Sequence, residues 1–170
     1  MKSRQTALLA CIAVTALCLR SSLAEETLEA TAVALFKSLS PEQREKAALA
    51  FDSPHSTQEV YEGGPMPQGK PRAGIRLEDL QSTQRELALK LLKQSVSDDG
   101  MKQVEGIASQ EKNGTGDFLV CFFGEPAAGK TYAWRIAAHH LTLVNIEVEN
   151  GTPALLGPIL SVPYTVTEEQ

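Results

Sequence analysis

Four residues in the middle of this sequence could hold a phosphate. Gly124, Gly129, Lys130 and Thr131 stand in the spacing G-x-x-x-x-G-K-[ST], which in nucleotide-binding proteins places backbone N–H groups and a lysine around a phosphate. That chemistry needs a strand before the loop and a helix after it, whose N-terminus adds its dipole. The strand is present in Phe118 to Phe123. The helix is not expected: Thr131 to Val148 is rich in β-branched and aromatic residues, and Leu141, Leu143, Ile146 and Val148 mostly alternate with polar ones. Gly124 to Thr131 therefore reads as a hairpin connection with Pro126 and Gly129 as turn residues, and nucleotide binding is rejected.

A second group lies ten residues along. His139 and His140 are adjacent, and no His-x-His or His-x-x-x-His spacing accompanies them. On a strand their side chains point to opposite faces, so the two do not readily share one metal. The pair reads either as structural at a strand end or as the source of one ligand to a divalent metal, joined by Glu125, Glu147 or Glu149. A divalent metal is thus the candidate cofactor, with His139 and His140 as candidate ligands. If Tyr132 to His140 is one strand, Tyr132, Trp134, Ile136, Ala138 and His140 share a face, and Arg135, Ala137 and His139 share the other. Trp134 then anchors a core. Arg135 with His139 makes either a polar pocket for an anion or an ion pair on an exposed face. The candidate ligand-binding residues are Trp134, Arg135, His139 and His140. Cys121 sits in an apolar run and reads as a buried, inert thiol.

The elements that must position these residues come in two blocks. Glu25 to Ser38 has helical spacing at Leu28, Ala32, Leu35 and Phe36. Ser40-Pro41-Glu42-Gln43 has the form of a capping box with proline at the first helical position, opening a helix to about Phe51. Asp52 to Gly74 is dense in proline and glycine, which predicts an irregular arm. Thr83 with Glu86, or Ser82, opens a helix to about Ser95, and Ser97-Asp98-Asp99 opens another, closed by Asn113-Gly114-Thr115-Gly116. From Phe118 onward the pattern is β: strands over Phe118 to Phe123, Tyr132 to Ala138 and Leu141 to Val148, an Asn150-Gly151 turn, and an interrupted strand from Thr152 to Val162. Helices first and strands last predict an α+β domain, N-terminal helices packed on a C-terminal antiparallel β-meander. Asn113-Gly114-Thr115 and Asn150-Gly151-Thr152 match the glycosylation pattern but read as turns.

The N-terminus carries an address. Lys2 and Arg4 precede an apolar run from Ala7 to Leu19, and Ser22-Leu23-Ala24 offers small residues for cleavage after Ala24. This predicts a signal peptide over 1–24, a single domain over 25–165, a polar tail over 166–170, and a secreted or periplasmic protein. The leader removes Lys2, Arg4 and Arg20 and no acid, so the mature chain is more acidic than the −5 of the whole sequence. That charge does not suit nucleic acid, and no stable membrane association is expected once the signal is cleaved. Cys11 and Cys18 leave too, so Cys121 has no intrachain partner.

Three blocks of residues are similar to a bacterial family of secreted proteins, domain-of-unknown-function family 3500. The first is Leu39-Ser40-Pro41-Glu42-Gln43-Arg44 with Ala47 and Phe51-Asp52. The second is Gly74-Ile75-Arg76-Leu77-Glu78-Asp79-Leu80 with Thr83-Gln84-Arg85, Ala88 and Leu91-Leu92. The third is Phe123-Gly124-Glu125-Pro126, Trp134-Arg135, His139-His140-Leu141-Thr142-Leu143 and Thr152-Pro153. The resemblance implies an exported domain and supplies no activity. The reading from sequence is a binding or structural module with a pocket at the Trp-Arg and His-His strand. The alternative is a metal- or His-assisted hydrolase using one His as base or ligand.

Overall fold

The computed structural model describes residues 26–53, 73–138 and 140–160. Among these residues four helices and a six-stranded sheet form an α+β fold, the helices preceding the four longer strands. Helix α1 (Leu28–Ser38) is capped by Thr27, whose hydroxyl accepts from Ala30 N–H at 3.1 Å. The expected start at Glu25 and Glu26 is thus shifted, because threonine offers the short side-chain acceptor that a first turn needs. Helix α2 (Pro41–Ala47) opens on the expected box: Ser40 Oγ accepts from Gln43 N–H and Gln43 Oε1 from Ser40 N–H. It stops well short of Phe51, because Ala48–Leu49 leave the helix as strand β1 and pair in parallel with β3 (Leu119–Phe123).

The arm expected over Asp52 to Gly74 lies mostly outside the described residues. Gly74 N–H donates to Lys46 C=O at 3.2 Å, and the chain continues as β2 (Ile75–Arg76), antiparallel to β3. Both short strands use the same edge of β3. Gly74 has φ +127°, and a Cβ there would stand 2.8 Å from Val120 C=O. Only glycine fits the conformation and the approach.

A 3-10 turn (Leu77–Asp79) leads to helix α3 (Ser82–Gln94). The cap of this helix is Gln81, one residue before Ser82 and two before Thr83, and Gln84 rather than Glu86 reaches back to the cap, Oε1 accepting from Gln81 N–H at 3.0 Å. Helix α4 (Asp98–Ala108) starts on Ser97 as expected. The four C-terminal strands, β3, β4 (Tyr132–Ala137), β5 (Leu141–Glu147) and β6 (Ala154–Leu160), are antiparallel in chain order. The meander is therefore as expected, but β1 makes the sheet mixed.

Every residue of β4 is buried, as expected for a strand covered on both faces. On the helix side, Val120, Phe122, Tyr132, Trp134, Ile136, Leu141 and Leu143 join Ala32, Leu35, Phe36, Ala88, Leu91, Leu92 and Val104 in one cluster. Phe36 and Phe122 meet edge to face at 5.2 Å. On the other side, Cys121, Phe123 and Ala133 pack with Leu49, Ala73 and Ile146.

The two Gln-Arg pairs that begin α2 and α3 perform the same work. Gln43 Nε2 donates to Gln84 Oε1 at 3.0 Å and Gln84 Nε2 to Gln43 Oε1 at 2.9 Å. Gln84 Nε2 also donates to Ser38 C=O at 2.7 Å. Beside them, Arg44 donates to Lys37 C=O and Arg85 to Leu77 and Glu78 C=O, each reaching back to the segment before its own helix. Gln84 is almost wholly buried. Its replacement by alanine strands Gln43, Gln81 N–H and Ser38 C=O, and we expect a loss of about 1–3 kcal/mol, measured as a lower urea midpoint. Adding Gln43→Ala should then cost less than it does alone; strict additivity would show that the pair does not act as a unit. Gly74→Ala should cost at least about 1 kcal/mol in the same assay, from its backbone conformation alone.

Candidate functional site

The hairpin from β3 to β4 contains the phosphate-loop match. Thr131 is followed directly by β4, so no helix N-terminus faces the loop. Its two anion-binding groups are also engaged. Gly129 N–H donates to Glu29 Oε1 at 2.7 Å, and Lys130 Nζ pairs with Glu149 at 3.0 Å. The loop's spacing thus serves to tie the hairpin to α1 and to the end of β5.

Trp134 and Arg135 lie on opposite faces of β4, as their adjacency on a strand requires. Trp134 is fully buried in the helix-side cluster. Arg135 is equally buried on the other side, where it donates to Ala73 C=O at 3.0 Å and its guanidinium sits 5.5 Å from the centre of the Phe123 ring. It is therefore not on an exposed face. His139 falls outside the described residues. His140 is half-buried, and the strand expected over Tyr132 to Ala138 ends at Ala137. Ala138 N–H donates to Leu141 C=O at 2.8 Å, which joins the end of β4 to the start of β5. Among the described residues no three His, Cys, Asp or Glu side chains form a group suited to a metal ion.

The helix side of β4 and β5 holds a polar layer that the sequence did not announce. Asn145 and Glu147 are buried opposite Trp134 and Tyr132, and Asn145 Nδ2 donates to Glu147 Oε1 at 2.8 Å. Tyr132 Oη and Trp134 Nε1 are buried with no hydrogen-bond partner among the described residues. Burial, reinforced by the carboxylates of Glu147 and then Glu29, pushes the Tyr132 phenol well above the usual tyrosine range.

A concavity of about 430 Å³ lies elsewhere, at the β2 edge, lined by Lys46, Gly74, Ile75, Arg76, Asp79, Asp117 and Leu119. Arg76 pairs with Asp117 and, at 2.8 Å, with Glu78. Asp117 also accepts from Asn113 N–H and Nδ2, both at 2.9 Å. Lys46 and Asp79 are exposed and have no ion-pair partner among the described residues. Sequence reasoning missed this groove because its residues come from α2, the 3-10 turn and both sides of the arm.

A family model described as "Protein of unknown function (DUF3500)" matches residues 21–161, which include all four helices and all six strands described above. The chain belongs to the DUF3500 family. No curated protein and no solved structure matches it at a significant level. The residues that resemble DUF3500 proteins divide in use: Gln43-Arg44 and Gln84-Arg85 fasten helix starts, Gly74 to Asp79 build the groove, and Trp134-Arg135 fill the two faces of the sheet.

Tyr132→Phe provides a check on the buried layer. Removing a hydroxyl without a partner should leave stability at pH 7 unchanged or raised by up to about 1 kcal/mol. Because the folded state holds the phenol protonated beyond the pH at which the unfolded chain ionises, near 10, native stability falls as pH rises above about 10. The Phe variant should lose less between pH 9 and 11 in urea titrations. An identical loss in both proteins would remove Tyr132 as the cause.

Proposed function

We propose that this DUF3500 protein is an exported binding module whose ligand site is the groove beside β2. The observation that carries the reading is the unpaired charge: Lys46 and Asp79 face one concavity with no partner among the described residues, while the other charged groups around it are paired. Its volume lies in the range of small-molecule sites. Half-buried Leu119 adds apolar surface, and Arg76 and Asp117 are held in place by their mutual pair. By contrast, Trp134 and Arg135 are each packed into a different face, which favours structural work for both. For the address, the leader over 1–24 carries the reading, and α1 with its Thr27 cap begins after Ala24. Among the described residues no helix is long and apolar enough to cross a membrane.

Two measurements test this. Full-length protein produced in a host with a secretory pathway should leave the cytoplasm and show Glu25 as its first residue; an intact Met1 on cytoplasmic material would end the export reading. In amide NMR titrations of the isotopically labelled protein, at least one of four probe classes should shift Gly74 to Arg76 and Asp117 to Leu119: a neutral sugar, a small anion, a small cation or a zwitterion. Perturbation confined to the His140 turn, or none from any class, would refute the groove as the site. ATP should leave Gly124 to Thr131 unmoved, and micromolar ATP binding abolished by Lys130→Ala would overturn the rejection of the phosphate loop.

A further inference from the structure

The groove's charges specify a ligand class more narrowly, on the assumption that the groove is the binding site. Four charged side chains line it: Lys46, Arg76, Asp79 and Asp117. Arg76 and Asp117 are paired with each other, and Arg76 also with Glu78, which lies outside the lining. One cation and one anion remain, on different segments: Lys46 near the end of α2 and Asp79 in the 3-10 turn. A ligand with a single charge satisfies one and leaves the other facing a like or absent charge. A neutral ligand satisfies neither.

The backbone adds a donor. Leu77 N–H donates to Phe118 C=O, so the alternation of antiparallel bonding makes Ile75 and Val120 a hydrogen-bonded pair and leaves Arg76 and Leu119 as a non-bonded one. Arg76 N–H is therefore directed away from β3, and it has no partner among the described residues. The next outward N–H, that of Gly74, is taken by Lys46 C=O. The groove thus offers an ammonium and a backbone N–H as donors, a carboxylate as acceptor, and a half-buried leucine.

We propose that the groove binds a small zwitterion, its carboxylate at Lys46 Nζ and Arg76 N–H and its ammonium at Asp79. A free amino acid and a short peptide with free termini share that chemistry and differ in the span between their charges. Exposed ion pairs contribute little each, so the affinity is modest and falls as salt rises.

The probes are leucine, the tripeptide Leu-Gly-Gly, N-acetyl-leucine and leucinamide, titrated into the labelled full-length protein. Leucine or the tripeptide should shift the Gly74, Ile75, Arg76 and Leu119 amides, and the better of the two identifies the span. N-acetyl-leucine and leucinamide should each bind about threefold or more weakly than leucine, the loss expected for one exposed ion pair. Lys46→Ala should remove the preference for leucine over leucinamide, and Asp79→Ala the preference over N-acetyl-leucine. Both positions are exposed, so folding should persist, checked by unchanged amide positions in the β3–β6 strands. Equal binding of blocked and free forms, or a response of these amides to a sugar or a singly charged probe alone, overturns the zwitterion while leaving the groove as the site. Silence of the groove amides with every probe overturns both.

Discussion

The reciprocal amide pair of Gln43 and Gln84 is the constraint on which the helical half of this domain depends. Two short helices begin at one place, and each contributes the glutamine that closes its own first turn. Each amide then meets the other across 41 residues of sequence. Neither group could be buried alone without leaving a strong donor unmet. Together they satisfy each other, and the third bond, from Gln84 to Ser38 C=O, brings the end of α1 to the same point. The helices that cover the sheet are thereby fixed by polar chemistry at their starts and by apolar packing along their lengths.

The sheet depends on this cover. With β4 buried on both faces, neighbouring residues of one strand belong to different cores, one against the helices and one on the Ala73 side. Concentrations of unusual residue types in such a strand reflect two packing problems superimposed. Trp134-Arg135 is the clearest case: a large ring fills one side and a guanidinium, held by Ala73 C=O and the Phe123 ring, fills the other. Two charges of the groove, Lys46 and Asp79, lie instead at the sheet's edge, beside the two-residue strand β2.

Much of this was legible in the residues. The α+β order, the Ser40 and Ser97 caps, the three strands between Phe118 and Val148 and the rejection of a helix after Lys130 all follow from local periodicity and turn chemistry. Three features do not. Ala48-Leu49 continues a good helical pattern, and it becomes a strand only because the edge of β3 is available to it. Gln84 outcompetes Glu86 because it has a distant partner, which no local pattern encodes. The strand pattern continues through Ala138, yet β4 ends at Ala137 and Ala138 bonds to Leu141 at the start of β5. The groove was hidden for a related reason: Lys46, Asp79 and Asp117 are ordinary surface charges until the fold gathers them.

The bond from Gly74 N–H to Lys46 C=O has a consequence for how this chain can vary. The Pro- and Gly-rich segment follows β1, whose Leu49 pairs with Phe123, and precedes β2, whose Ile75 pairs with Val120 on the same edge of β3. Residues can be added to such a detour or removed from it without shifting either strand that flanks it, and the entropic cost of closing it grows slowly, by about 0.6 kcal/mol for each doubling of length. The detour is therefore the part of the domain where length is freest, while its two anchor points, a carbonyl at the end of a helix and a glycine that no other residue can replace, are among the least free.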